Sequence, residues 1–170
     1  STDETDAPTG AGGTPTGGDD AVALGPTESG GLEALSAIGI EGAEQGALSA
    51  ALHRLAAETP IWLAHSVRSP RAAAAAYALG SAFESAGGVV RGTTELDYAV
   101  RPGVYVFAAD ESYPSYVDDV AAALAEAIPG VSVMSGYRAY YESQRAENPA
   151  WNGVPMDAEQ TYVILIGRVP

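Results

Sequence analysis

The most constraining stretch of this chain lies near its C-terminus, where Tyr162, Val163, Ile164, Leu165 and Ile166 follow one another without a polar break. A half-buried strand alternates apolar and polar residues, because successive side chains point to opposite faces. Here both faces are apolar, with Tyr162, Ile164 and Ile166 on one and Val163 and Leu165 on the other. The run over 161–169 is therefore predicted to be a central strand, covered on both sides. That cover must come from a modest stock of large side chains: two Trp, two Phe and nine Tyr, with much of the 46% hydrophobic content being alanine. A chain of 170 residues is one domain's worth, so the core is expected to be thin or spread over a sheet, with room for neighbouring subunits to complete it.

Charge narrows the partners. There are 22 Asp and Glu residues against 8 basic ones, all of them Arg, for a net charge of −14. Phosphate affinity comes from neutralising Lys and Arg, so direct nucleic-acid binding is not expected, whether sequence-specific or not. Anionic membranes are disfavoured for the same reason. Acidic residues together with Arg in place of Lys suit a halophilic or GC-rich source, where net charge maintains solubility. Without cysteine there is neither a disulfide framework nor a thiolate metal site. No apolar run approaches the ~20 residues that span a bilayer. No signal-peptide pattern is read; a start at Ser1 fits initiator-Met removal, or cleavage of a segment not shown, and synthesis in the cytoplasm is the simpler account.

Residues 1–30 are Gly, Thr, Pro, Asp and Ala, with Asp3, Glu4, Asp6, Asp19, Asp20 and Glu28 and no basic residue. Such a segment has little to bury and cannot offset its ordering entropy alone. It reads as an acidic arm, solvated or ordered only in an assembly, ahead of a folded domain over 31–170.

Within that domain, Gly39, Gly42 and Gly46 weaken any helix over 32–40. A helix is predicted over 43–58 from Ala47, Leu48, Ala51, Leu52 and Leu55, ended by Pro60, with a short strand over 61–67. Residues 70–84 carry two conflicting patterns. Ser69, Pro70, Arg71 and five alanines favour a helix start. Tyr77, Leu79, Ser81 and Phe83 alternate with smaller or polar residues, which is strand period. The reading leans to a strand over 72–84, turned by Gly87-Gly88 into a hairpin. A further strand is predicted over 93–100, with Leu96, Tyr98 and Val100 on one side, followed by a kink at Pro102-Gly103 and an apolar run over 104–109. A second helix over 115–128 has Ser115 and Asp118 as a capping box and an apolar stripe of Val117, Val120, Ala121, Leu124 and Ile128. Alternation then predicts a strand over 131–142 and a polar loop over 143–160. The fold class is α+β, a mixed or antiparallel sheet of four to five strands flanked by two helices, with an extended N-terminal arm.

No catalytic constellation is spelled out. His53 and His65 have no ligand spacing, and pairing His65 with Ser66 or a carboxylate would still need a third group in fixed geometry. Asp110, Glu111, Asp118 and Asp119 could hold a divalent cation, but they lack EF-hand spacing and suit a helix N-terminus without one. The glycines at 10–18 and 30–31 form no P-loop, since no lysine follows. No cofactor or metal is expected. Aromatic residues gather at Tyr137, Tyr140, Tyr141 and Trp151, as half-buried sheet residues or as anchors of an interface.

The order of elements from 43 onward carries a resemblance. A strand at Thr94-Glu95-Leu96-Asp97-Tyr98-Ala99-Val100 continues to Val104-Tyr105-Val106-Phe107. An Ala/Asp-rich helix, a strand with Gly136-Tyr137, an excursion with Trp151 and a closing Thr161-Tyr162-Val163-Ile164-Leu165-Ile166 follow. This pattern over 43–170 resembles the tail terminator, or tail completion, proteins of tailed phages. The resemblance implies a sheet flanked by helices and a structural virion subunit, not an enzyme. Six copies would form a ring contacting tail-tube and connector proteins, assembled in the host cytoplasm. The acidic arm departs from that compact plan. Two rivals remain: a secreted or cell-surface binding module of a halophilic or GC-rich organism with the arm as spacer, and a small hydrolase or metal enzyme using His65 and the Asp110 to Asp119 carboxylates.

Overall fold

The computed structural model describes residues 31–170; the acidic arm lies outside the described residues. The elements are a short helix at residues 31–36 (α1), α2 (Gly42–His53), β1 (Pro60–His65), α3 (Pro70–Ser85), β2 (Val89–Glu95), β3 (Val104–Ala108), α4 (Ser115–Ala125), β4 (Val133–Met134), α5 (Tyr137–Glu147) and β5 (Tyr162–Ile166). The fold is α+β around one mixed five-stranded sheet of order β2-β1-β5-β3-β4. β5 is central, as its two apolar faces require, running parallel to β1 and antiparallel to β3. β1 and β2 are parallel, as are β3 and β4. Parallel neighbours need a crossover rather than a hairpin, and α3 and α4 provide the two crossovers.

The strand expected over 72–84 is therefore a helix, and the hairpin at Gly87-Gly88 is instead a helix end. Ser69 is the N-cap of α3, its hydroxyl accepting from Ala72 N–H at 3.3 Å, and Pro70 opens the helix. Pro is suited to that position because its missing N–H is unneeded there. Ala72, Ala75, Ala76, Leu79 and Phe83 form the buried stripe. Gly80 lies where the helix meets the sheet; a Cβ there would stand 3.1 Å from Leu63 Cδ1.

The long strand expected over 131–142 also fails. Only Val133 and Met134 pair, with Val106 and Phe107. Gly136 then turns at φ +81° and α5 begins. A side chain at Gly136 would also meet the Glu111 carboxylate, 2.5 Å from the ideal Cβ position. The expected strand over 93–100 keeps its facing, but only 93–95 pair, as the end of β2 against β1. β2 ends at Glu95, and Leu96, Tyr98 and Val100 continue as an irregular segment packed on the sheet. The expected capping box is absent. Pro114 is the N-cap of α4 without a side-chain bond, and Asp118 accepts from the Tyr113 hydroxyl at 2.8 Å.

The two sheet faces are unequally covered. Ile61, Leu63, Val104, Val106, Ala108, Tyr162, Ile164 and Ile166 meet α2, α3 and α4 in one large core, where the helices contribute mostly Ala and Leu. Small alanine side chains let the helices lie close to the sheet, so the larger residues sit on the strands. The opposite face holds only Ala64, Leu96 and Leu165 fully buried, with half-buried aromatic and Val residues around them.

Tyr162 is the largest of the fully buried side chains. Its hydroxyl donates to Pro60 carbonyl at 2.8 Å, and its ring meets Trp62 and Tyr116 edge-on at 5.9 and 6.0 Å. Burial, with Tyr116 adding to it, pushes its phenol well above the ordinary tyrosine range. The folded state thus resists losing this proton, and its stability is complete below pH 10 and declines as pH rises beyond it, where the unfolded chain ionises first. Tyr162→Phe should strand the Pro60 carbonyl and cost about 1–3 kcal/mol. Denaturant titration should show a lower midpoint at unchanged m-value, and a shallower stability loss between pH 10 and 11 than the parent.

Candidate functional site

The less covered sheet face carries a cavity of about 630 Å³, within the range of small-molecule sites. Its floor is the outward side of the strands: Trp62 and Ala64 from β1, Tyr105 and Phe107 from β3, Val163 and Leu165 from β5. Alternation along each strand delivers these residues to the same side. Tyr98 and Val100 form one wall, and Tyr137, Tyr140, Trp151 and Val154 form the other. Thr94, Arg101, Asp157 and Gln160 supply its polar fringe.

The second wall is built by α5 and the segment after it. The α5 backbone is tied to the end of β3 by Arg138 N–H donating to Ala109 carbonyl at 2.8 Å. Its aromatic residues stack outward in sequence. Tyr137 lies 6.1 Å from Phe107, and Tyr140 and Tyr141 lie 5.8 and 5.5 Å from Trp151. Tyr137 donates to Val154 carbonyl at 2.6 Å, fixing the wall at its base. Burial raises the Tyr137 phenol far above its usual value, with Tyr98 adding to the effect; burial then Asp97 raise Tyr98. Both rings therefore stay neutral across physiological pH. No α5 side chain is fully buried, and Tyr140 is 53% exposed.

One guanidinium holds the lip. Arg138 donates through Nη1 to Met156 carbonyl at 2.9 Å and through Nη2 to Gln160 carbonyl at 2.7 Å, while Nε reaches Asp110 at 3.3 Å. Three directed bonds from one planar group suit arginine and not lysine. Arg91, at a register shift beside β1, lies over the Trp62 ring at 5.8 Å and reaches Glu159 of the same segment at 3.7 Å. Trp151 depends on a glycine: any Cβ at Gly153 would fall 2.0 Å from its ring.

Tyr137, Tyr140, Tyr141 and Trp151 are thus brought together, on a helix and its following segment rather than on a strand. Sequence reasoning found this wall but missed the floor and Arg138; the alternation at 105/107 and 163/165 was the available signal. The other candidates are dispersed. His65 is buried on the helix side, 6.4 Å from Tyr77, and His53 lies on α2 with Nδ1 2.8 Å from Ser49 carbonyl. Ser66 Oγ accepts from Val100 N–H at 2.9 Å, a structural tie. Asp110 pairs with Arg138, Glu111 accepts from Ser135 at 3.3 Å at the α5 N-terminus, and Asp119 is exposed on α4. Among the described residues, no group of three or more His, Asp or Glu is arranged to hold a metal ion, and no helix is long and apolar enough to cross a membrane. Comparison with protein-family models, curated proteins and solved structures returned no match.

Arg138→Met should keep the stem's volume and lose the bonds to Met156 and Gln160. Amide exchange over residues 154–160 should quicken roughly tenfold or more, on the scale of one or two lost charge-assisted hydrogen bonds, while exchange in α3 stays at the parent rate. Unchanged exchange over 154–160 would show that the lip is held by something else.

Proposed function

We propose that this protein is a binding module, not an enzyme, and that its ligand is a small molecule with a flat, mostly apolar body seated on the open sheet face. The carrying observation is the cavity of about 630 Å³, floored by strand residues and walled by Tyr137, Tyr140 and Trp151. Convergent aromatic rings with a few polar groups at the fringe are what such a ligand needs for orientation. The candidate pair for nucleophilic chemistry, His65 and Ser66, lies outside the cavity lining, with the Ser66 hydroxyl accepting from Val100 N–H. A secreted or surface-displayed setting, with the acidic arm as spacer, accommodates this reading.

A second reading is favoured by the aromatic wall itself. Tyr140 projects from a helix that buries none of its residues fully, and Trp151 meets it from the segment that follows, as interface anchors do before a partner covers them. On this reading the chain is a virion subunit of the tail-terminator kind. A neighbouring copy in a ring, or a tail-tube or connector protein, would then close the open face.

Two measurements separate them. Nile red, a neutral flat dye, should bind one per chain with enhanced emission, and Tyr140→Ala should weaken it roughly tenfold, as expected for an exposed aromatic anchor. Sedimentation at high protein concentration and native salt should give a monomer for the module and a closed oligomer for the virion subunit. Absence of dye binding in a monomeric sample defeats both readings.

A further inference from the structure

The cavity's chemistry goes further than its shape. Its rings are Trp and Tyr for the most part, whose faces carry negative electrostatic potential and attract cations within about 6 Å. The molecule uses this attraction already, with Arg91 lying 5.8 Å over Trp62 at the cavity's edge. The charged groups that could oppose a cation are largely engaged: Arg91 reaches Glu159, and Arg138 is held by Asp110 and two carbonyls. Among the described residues lining the cavity there is one arginine, Arg101, and one aspartate, Asp157, equal in formal charge and opposite in sign. Asp97 sits close enough to Tyr98 to disfavour a second negative charge on its phenol. The whole chain carries −14, and low-dielectric walls focus such a field into a cleft.

We infer that the ligand is an organic cation, an apolar body bearing a quaternary or protonated amine; this rests on the cavity being a binding site. The apolar body lies on Phe107, Val163 and Leu165, and the cationic group sits among the aromatic rings toward Asp157. The Tyr98 and Tyr137 phenols, held neutral, contribute ring faces and not formal charge.

The chain itself supplies the reporter. Its two tryptophans, Trp62 and Trp151, both line the cavity, so intrinsic emission reads this site. The full chain is titrated with benzyltrimethylammonium, with its uncharged isostere neopentylbenzene, and with phenylmethanesulfonate. The cation should bind roughly five- to tenfold tighter than the neutral isostere, in line with cation–π attraction in a partly desolvated site, and the sulfonate should bind weakest. Asp157→Asn should narrow the preference for the cation, and Arg101→Gln should widen it. Equal or tighter binding of the neutral probe or the sulfonate overturns the inference while leaving the cavity a binding site. If none of the three changes the emission and Nile red does not bind either, the binding-site reading falls with it.

Discussion

A five-residue strand that is apolar on both faces must be kept dry on both faces, and the rest of this structure follows from that demand on β5. One side is met in the ordinary way, by three helices whose alanines let them approach the sheet closely. The side chains that fill the space come from the strands, and Tyr162 is the largest of them. Because β5 is inserted between β1 and β3, it also joins two parallel crossover units that would otherwise share no strand pairing. The link between the two halves rests on pairings of β5 with strands distant in sequence, contacts of the kind that slow folding.

The second face is met differently, and there function becomes possible. Among the described residues, no helix buries a side chain fully on that face. Residues 96–100, α5 and the segment over 148–161 lean across the sheet with Tyr, Trp and Val, leaving a recess rather than a core. An unequal division of large side chains, rich on the strands and poor on the helices, yields both a closed interior and an open aromatic surface from one sheet.

How much of this could be read beforehand depended on which periodicity a segment obeyed. The central strand was legible because a continuous apolar run of that length has few other solutions. The helix over 115–128 was legible because its stripe has only helical spacing. Two segments deceived for one reason. Leu79 and Phe83, like Tyr137 and Tyr141, are four apart, a spacing that shares a face in a helix and in a strand alike. The tie had to be broken by ends: Ser69-Pro70 at the start of α3, and Gly136 before α5, where a left-handed turn stops the preceding strand. The alternation that lines the floor was visible in each strand, but not which strands lie side by side to make it, because their order in the sheet differs from their order in the chain. Arg138 was equally hidden, its partners being backbone carbonyls that no residue type announces.

The segment over 156–160 is held by two arginines whose grips respond differently to dissolved ions. Arg91 meets Glu159 across 3.7 Å with both side chains largely exposed, a pairing that counterions weaken readily. Arg138 instead grips two peptide oxygens, neutral dipoles at close range that a thicker ionic atmosphere shields far less. In strong brine the stretch over 156–160 therefore loses its tie to the β2 edge first and keeps its mooring to α5.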